Sequence, residues 1–183
     1  DDYFQPNALR AMIDAWQSAP DNKKRFVYSD WYKQETQEEY SGDDVVCADL
    51  LRKQWYPVTC LYPIALRGKV RFDEDLPAWE DWDFQLQVAR EGFCGIHVRV
   101  PLLQYRLGTG TRREAGYVDR ENLKERIHAR WQEYIEGEKA MPCGGCGGGS
   151  MVSSGPSLTA EQLFAAEHNM LYVPAAVPDE DAV

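Results

Sequence analysis

The sequence lacks a long apolar run and an excess of basic residues. None of its apolar stretches approaches the roughly 20 residues that a helix needs to span a bilayer, so no transmembrane segment is predicted. The 183 residues include 30 acidic and 20 basic side chains, which gives a formal net charge of −10. This charge disfavours nonspecific binding to nucleic acid or to an anionic membrane, and it is compatible with a divalent cation.

Cysteine is also scarce, with five residues at positions 47, 60, 94, 143 and 146. An odd count with scattered members argues against a disulfide framework and predicts reduced thiols and a cytoplasmic location. Cys143 and Cys146 have the spacing of half a zinc site or of a redox pair, but no second pair of ligands lies near them in the sequence. A flexible linker with two exposed thiols is the favoured interpretation.

The chain has neither an initiating methionine nor a signal peptide, and we interpret it as the C-terminal portion of a longer protein. With 44% hydrophobic residues, it has enough apolar content for one domain with a core. Composition predicts a folded domain over residues 1–140, a Gly/Cys-rich linker over 141–150 and a partly disordered tail over 151–183. A short helix over 159–168 is a further possibility.

Hydrophobic periodicity predicts an α/β domain. The expected helices cover residues 6–19, 81–91 and 119–139, and the expected strands cover 26–32 and 94–100, with a continuation over 102–106 beyond Pro101. In the first helix, Leu9, Met12, Ile13 and Trp16 are expected to form one apolar stripe. Residues 45–51 fit either a helix or a strand. Pro57 and Pro63 favour an extended segment with a short turn over 55–66.

One short stretch, Trp79-Glu80-Asp81-Trp82-Asp83, concentrates three carboxylates and two indoles at the start of a predicted helix. A carboxylate that is partly shielded from water and close to other charges is suited to acid–base chemistry. The alternative is that all three acids stabilise the helix N-terminus, by about 0.3–1 kcal/mol each. The residues of this stretch alone favour that alternative.

Three blocks of the sequence together resemble family 2 glycosyltransferases. Asp1-Asp2-Tyr3-Phe4 before Pro6-Asn7-Ala8-Leu9 is similar to the end of their Asp-X-Asp segment. Phe72-Asp73-Glu74-Asp75-Leu76, followed by Trp79–Asp83, resembles their later acidic block, and Pro101–Arg106 resembles the segment after it. The blocks occur in the family's order over roughly residues 1–115. A narrower resemblance is to glycosyltransferases of bacteriophage genomes.

The resemblance implies a partial GT-A fold, in which a mixed sheet is flanked by helices and followed by the tail. It also implies transfer of a sugar, with inversion, from a nucleotide-diphosphate sugar to a hydroxyl acceptor such as a glycan or a protein. Asp81 would be the catalytic base, and Glu80 would orient the acceptor or the base. Asp1 would ligate Mg²⁺ or Mn²⁺. The family's donor-binding half is missing from this chain, so the fragment alone is expected to be inactive.

Further roles follow from the same resemblance. Arg106, Arg112 and Arg113 would bind the donor diphosphate, for which guanidinium groups are suited; the alternative is a solvated basic loop. Trp79 would be a platform for the acceptor, and Asp83 would bind the acceptor or support the helix start.

Two departures from the family pattern stand out. The family often has a metal-binding histidine after the Tyr105-Arg106 segment and a Gly-Gly pair before Phe72, and this sequence has neither. His97, on a strand, is interpreted as structural. The rival functions are a noncatalytic carbohydrate- or protein-binding module and a metal-dependent phosphotransfer or hydrolase domain.

Overall fold

A computed structural model of the chain describes residues 2–19, 23–41, 47–54, 56–106 and 118–142. Several predictions fall outside these ranges. They are the metal ligand Asp1, the loop residues Arg112 and Arg113, the linker beyond Pro142, and the tail with its helix over 159–168. Within the described ranges, none of the helices combines the length and the apolar character that crossing a membrane requires.

The described strands form one mixed sheet of four strands in the order β1-β4-β2-β3. Strand β1 covers Tyr3–Phe4, β2 Arg25–Lys33, β3 Glu38–Tyr40 and β4 Cys94–Tyr105. The two long central strands, β2 and β4, are parallel, whereas β1 and β3 pair antiparallel at the two edges. The expected α/β class with a mixed sheet is therefore confirmed, and the more specific GT-A fold stays a prediction.

Pro101 lies inside β4 and does not end it. It pairs with Asp30 at the point where the β2–β4 register shifts on both sides of Asp30. Proline has no N–H group to donate to a ladder, so within a sheet it is tolerated where the pairing is irregular. The strand predicted over 94–100 accordingly continues beyond Pro101, as expected, and forms one strand with a bulge.

Two helices flank the sheet and define two main core clusters. Helix α1, Ala8–Ser18, packs with Val27, Val98 and Leu102, while α2, Glu80–Arg90, contributes Trp82, Leu86 and Ala89 to the larger cluster. Two short 3₁₀ helices, Cys47–Leu51 and Ile64–Leu66, lie between β3 and α2. Helix α3, Arg120–Arg130, and the single-turn α4, Gln132–Ile135, complete the described fold.

Two helix predictions need correction. The predicted stripe of α1 is only partly buried, because Leu9 and Ile13 are 55% and 39% exposed while the buried face consists of Ala8, Ala11, Met12 and Ala15. The single helix predicted over 119–139 is interrupted at Trp131. That residue leaves helical geometry where its buried indole N–H donates to Asp83, so a tertiary contact overrides the local periodicity.

The cysteines also differ from expectation. Cys60 is a free thiol, but Cys94, at the start of β4, is disulfide-bonded. The prediction of uniformly reduced thiols is therefore wrong for Cys94.

Candidate functional site

The candidate site is built on the first turn of α2, where the acidic cluster of the sequence lies. The residue before the helix, Trp79, has φ +62°, a left-handed conformation that is uncommon for a bulky side chain. Its carbonyl oxygen accepts hydrogen bonds from the N–H groups of Trp82 and Asp83 at 3.1 and 3.2 Å. The first turn that follows carries Glu80, Asp81 and Asp83, whose charges favour a helix N-terminus.

Asp81 is the carboxylate of this turn that combines partial burial with few hydrogen bonds. Its Oδ2 accepts a hydrogen bond of 2.6 Å from the side-chain amide of Gln54, and its Oδ1 accepts one of 2.8 Å from the N–H of Trp82. Burial raises the pKa of Asp81; the Gln54 hydrogen bond opposes that shift, and the nearby charge of Glu80 adds to it. A carboxylate with a raised pKa is a stronger base than an ordinary aspartate.

A group of aromatic and thiol side chains lies near Asp81. Tyr62 interacts electrostatically with Asp81, and the buried Tyr56 and half-buried Cys60 interact in turn with Tyr62. Burial raises the pKa of the Cys60 thiol to about 12, and it raises the pKa of Tyr56 well above its usual range. Burial also raises the pKa of Tyr62, with smaller contributions from Cys60, Tyr56 and Asp81. These groups are therefore neutral near pH 7, and Asp81 lies beside a neutral, poorly solvated surface.

Asp83, two residues further on, has a different environment. It is 0% exposed, and its Oδ1 accepts a hydrogen bond of 2.8 Å from the indole N–H of Trp131. Its Oδ2 accepts hydrogen bonds from Arg130 at 2.9 Å and from Gln87 at 2.7 Å. Both oxygens are engaged, so the geometry gives no support to an acceptor-binding role for Asp83. It supports the other prediction, a group that holds the helix start in place.

The earlier acidic run, Phe72–Leu76, is also held by cationic side chains of α3. Arg130 forms an ion pair with Asp73 in addition to its contact with Asp83, and Arg126 donates to the carbonyl oxygen of Asp75 at 3.2 Å. The backbone N–H of Asp75 and, next in size, the Arg130 hydrogen bond lower the pKa of Asp73. This run therefore fixes α3 against the start of α2.

The two tryptophans of the cluster both take part in packing. Trp82 is 4% exposed and donates its indole N–H to the carbonyl oxygen of Leu50 at 2.6 Å, so it packs inward. Trp79 is half-buried and meets Trp82 edge-on, with ring centroids 5.7 Å apart. The contacts of Trp79 show packing against the core, and its predicted role as an acceptor platform stays untested.

Arg106, a predicted donor-side residue, meets Asp2 at the end of the sheet. Strand β1 pairs with the last residues of β4, and the Asp2 carboxylate accepts a hydrogen bond of 2.8 Å from the backbone N–H of Arg106. Helix α2 ends at Arg90, shortly before β4 begins at Cys94, and Asp81 lies on the first turn of that helix. A joint site of Asp81 and Arg106 stays a prediction.

The acidic side chains of the described residues bear on the predicted metal site. In the part of the chain that the structure covers, no group of three or more His, Cys, Asp or Glu side chains is arranged to hold a metal ion. Asp2 faces the Arg106 backbone, and Asp83 and Asp73 are occupied by Arg130. Metal binding through Asp1 stays a prediction, and the chemistry below is derived without a metal step.

Sequence reasoning missed the groups that surround Asp81. Gln54 is 27 residues away in sequence from the carboxylate that it contacts, and no local pattern identifies it. A second buried pair joins Asp30 and His97, with 2.7 Å between Oδ1 and Nε2, and the His97 ring stacks on Tyr28. The structural role predicted for His97 agrees with this burial. Its partner depends on strand register, which the sequence does not disclose.

Comparisons with known proteins return no match. No protein-family model, curated protein or solved structure is significantly similar to this chain. The functional argument therefore depends on the residues of the chain itself.

Proposed function

We propose that this chain is the acceptor-side part of a glycosyltransferase in which Asp81 activates the hydroxyl of the acceptor. The observation that carries the proposal is the environment of Asp81. Its carboxylate is partly buried beside neutral aromatic groups, its pKa is raised, and one amide, that of Gln54, holds its Oδ2. The likeness of three sequence blocks to family 2 glycosyltransferases gives this carboxylate its chemical role.

In this mechanism Asp81 acts as a general base. An acceptor hydroxyl donates a hydrogen bond to the carboxylate, and its proton moves to Asp81 as the oxygen attacks the anomeric carbon of the donor sugar. The bond from that carbon to the diphosphate breaks, and the diphosphate leaves with the electron pair. Attack opposite to the leaving group inverts the anomeric centre. General bases of this kind contribute typically 10²–10⁴-fold to the rate.

The donor side is proposed from the resemblance, which assigns Arg106 to the donor diphosphate. Arg106 is exposed, and its backbone N–H donates a hydrogen bond to the Asp2 carboxylate. Arg112, Arg113, Glu80 and a divalent ion bound through Asp1 keep the roles that the resemblance implies. When bound, such an ion would neutralise charge on the leaving diphosphate.

The proposal is tested by a transfer and donor-hydrolysis screen across sugar nucleotides, with Mg²⁺ and Mn²⁺, on this chain and on the full-length protein that carries it. Where activity is found, Asp81→Asn should lower the transfer rate by about 10²–10⁴-fold while donor binding stays unchanged. Asp14→Asn is the matched control, because Asp14 lies on α1 in a surface ion pair with Arg10. Near-normal transfer by the Asp81→Asn variant would rule out the assigned base.

One observation favours the alternative of a noncatalytic carbohydrate-binding module. Trp31 and Tyr40 are cross-strand partners at the β3 edge, and their rings stack with centroids 4.1 Å apart and planes 3° from parallel. Such aromatic surfaces bind sugar rings without turnover. Sugar binding that requires Trp31 and Tyr40, with no transfer from any donor in the screen, would favour this alternative over the transferase.

A further inference from the structure

The disulfide bond of Cys94 has a limited choice of partner within this chain. The sequence has five cysteines, and Cys60 is a free thiol. The partner is therefore Cys47, Cys143 or Cys146. Cys143 and Cys146 lie outside the described residues, but the residues that precede Cys143 in the chain are described and locate it.

The chain returns after α4 to the end of α2, next to Cys94. A Cβ atom on Gly92 would lie 3.4 Å from the carbonyl oxygen of Pro142. That carbonyl belongs to the peptide bond between Pro142 and Cys143, so covalent geometry puts the Cα atom of Cys143 within about 6 Å of this position. Met141 packs against the core cluster that contains Cys94. These contacts place Cys143 beside the start of β4.

Cys47 is attached to the opposite end of α2. It begins the first 3₁₀ helix, in which the carbonyl oxygen of Leu50 accepts the indole hydrogen bond of Trp82 from the first turn of α2. From that turn to the last residue of α2 the helix axis extends about 12 Å. The two Cα atoms of a disulfide lie about 4.4–6.8 Å apart, so the position of Cys143 fits a bond to Cys94 better than that of Cys47.

The sequence after Cys143 supplies a third thiol. Cys146 follows after two glycines, and Cys-X-X-Cys is the spacing at which two cysteines form a disulfide with each other in thiol–disulfide oxidoreductases. Cys143 can therefore bond either to Cys94 or to Cys146. Zinc is bound by thiolates, so a disulfide-bonded Cys143 argues against the interpretation of this motif as half a zinc site.

We propose that Cys94, Cys143 and Cys146 form a thiol–disulfide exchange site in which Cys94–Cys143 is the bond of the folded protein. In the exchange, the Cys146 thiolate attacks the sulfur of Cys143, and a Cys143–Cys146 bond forms as the Cys94–Cys143 bond breaks. Cys94 leaves as a thiolate and takes up the proton that Cys146 gave up. One disulfide replaces another, so no external oxidant or reductant is consumed.

The burial of Cys94 determines the direction of the exchange. Cys94 is 3% exposed, and a thiolate released there is poorly solvated, so the folded protein favours the Cys94–Cys143 bond. This bond fastens the segment after α3 to the core. The same segment begins at Trp131, whose indole holds Asp83 and whose ring lies 5.6 Å from the guanidinium carbon of Arg90. Exchange would leave the segment held by noncovalent contacts alone.

The pairing is tested by peptide mapping of the wild-type chain, with free thiols alkylated at acidic pH and digestion without a reductant. Trypsin places Cys47 and Cys94 in separate peptides. It leaves Cys143 and Cys146 in the one peptide that begins at Ala140, where fragmentation locates the alkyl group. We expect Cys94 linked to Cys143, with Cys146 alkylated. A link from Cys94 to Cys47 or to Cys146 would overturn the inference.

The exchange itself is tested in a Cys47→Ser/Cys60→Ser background, which removes the other thiols. The protein is incubated at pH 8 in urea without a reductant, and it is then acidified and alkylated. Because urea removes the burial of Cys94, the fraction of molecules alkylated at Cys94 should rise at least about tenfold with time. Adding Cys146→Ser should abolish that rise. An equal rise with and without Cys146, or no rise in either protein, would overturn the exchange.

Thermal denaturation tests whether the bond fastens the segment. Cys146→Ser should keep the Tm of the wild type, because it leaves the Cys94–Cys143 bond intact. The Cys143→Ser/Cys146→Ser double variant, which cannot form that bond or replace it, should melt about 5–15 °C lower. The same Tm in the double variant as in Cys146→Ser would contradict a Cys94–Cys143 bond.

Discussion

The two sides of the first turn of α2 use the same residue type in opposite ways. On one side, Asp83 is fully buried and both its oxygens are bound by Arg130, Trp131 and Gln87. On the other side, Asp81 accepts one side-chain hydrogen bond and lies against neutral aromatic groups. A carboxylate whose partners are all within the protein holds structure together, whereas one with spare acceptor capacity and a raised pKa is available for chemistry. The sequence of an acidic cluster does not show which aspartate is bound within the protein and which keeps spare acceptor capacity.

The largest expected effect comes from Asp83. Asp83→Ala should lower the free energy of unfolding by about 3 kcal/mol, because it leaves the buried indole N–H of Trp131 and one arm of Arg130 without their acceptor. Asp81→Ala should change stability by less than about 1 kcal/mol, because Asp81 accepts only one side-chain hydrogen bond, from the exposed Gln54. Urea denaturation of both variants measures the difference. Equal losses would remove the distinction between the two sides.

A second prediction concerns the packing behind Asp81. A Cβ atom on Gly95 would lie 2.6 Å from Cε1 of Tyr28, closer than carbon atoms approach, and 3.1 Å from Cζ of Phe26, which is a tight contact. Gly95→Ala should therefore cost about 1–3 kcal/mol, typical of overpacking, and displace Tyr28 from its stacks with Tyr56 and His97. Thermal denaturation measures the loss. Gly137→Ala is the control for a surface position, where a Cβ would meet nothing within 4 Å and only its positive φ opposes the change. A Gly95→Ala variant as stable as the wild type would mean that the packing around Tyr28 accommodates an added Cβ atom.

The pH dependence of stability gives a third prediction, with opposite signs for two aspartates. The folded-state pKa of Asp81 is raised above the ordinary 3.8, so its contribution to stability is present at low pH and is lost as pH rises through the folded-state pKa. The folded-state pKa of Asp73 is lowered, so its contribution is present above 3.8 and is lost as pH falls through its folded-state pKa. The difference in unfolding free energy between variant and wild type should therefore change with pH. As pH rises from about 3 to about 7, this difference should shift in favour of the Asp81→Asn variant and against the Asp73→Asn variant. If the stability difference from wild type changed with pH in the same direction for both variants, the opposite pKa shifts of Asp81 and Asp73 would be wrong.

The last prediction does not concern stability; it is kinetic and is measured at Cys60. Its thiol has a pKa of about 12, so its thiolate fraction at neutral pH is about 10³-fold lower than that of an ordinary cysteine. Alkylation of Cys60 in the native protein should therefore be slow. It should become faster in Gly95→Ala if that substitution loosens the packing of Tyr28 against Phe26 and Tyr56. Cys94 should resist alkylation until a reductant is added, because it is disulfide-bonded. Peptide mapping by mass spectrometry reads both sites. Rapid labelling of Cys60 in the wild-type protein would show that this thiol is accessible to the reagent and is not held in a poorly solvated environment.

The sequence predicted the elements whose patterns are local. Helix α2 was expected over 81–91 and is observed over Glu80–Arg90, and the strand expected over 26–32 is Arg25–Lys33. Its aromatic and β-branched residues made β2 predictable. The two-residue β1 and three-residue β3 carry too little pattern to be read. The break of the last helix at Trp131 depends on a contact with Asp83, 48 residues away, and no local window contains it.

The candidate site was predictable only in part. The role proposed for Asp81 came from the resemblance of three sequence blocks, because its immediate neighbours alone favour helix capping. Gln54, whose hydrogen bond opposes the effect of burial on the Asp81 pKa, and Tyr62, which interacts with Asp81, lie beside or within a proline-interrupted segment that shows no periodicity. Partners of this kind are set by tertiary packing.

The parallel pairing of β2 with β4 has a consequence for how the protein folds. The register joins Arg25 to Cys94, so the two central strands meet only after a long stretch of chain has been closed into a loop. Closing such a loop costs entropy before the pairing compensates for it, and topologies of this kind fold slowly. Helix α2 is stabilised by contacts between residues close in sequence and can form early. The β2–β4 pairing, on which the helix packs, forms late because it joins residues far apart in sequence. We therefore expect Asp81 to titrate as an ordinary aspartate through most of folding and to become a basic carboxylate only in the last stage, when β4 joins β2.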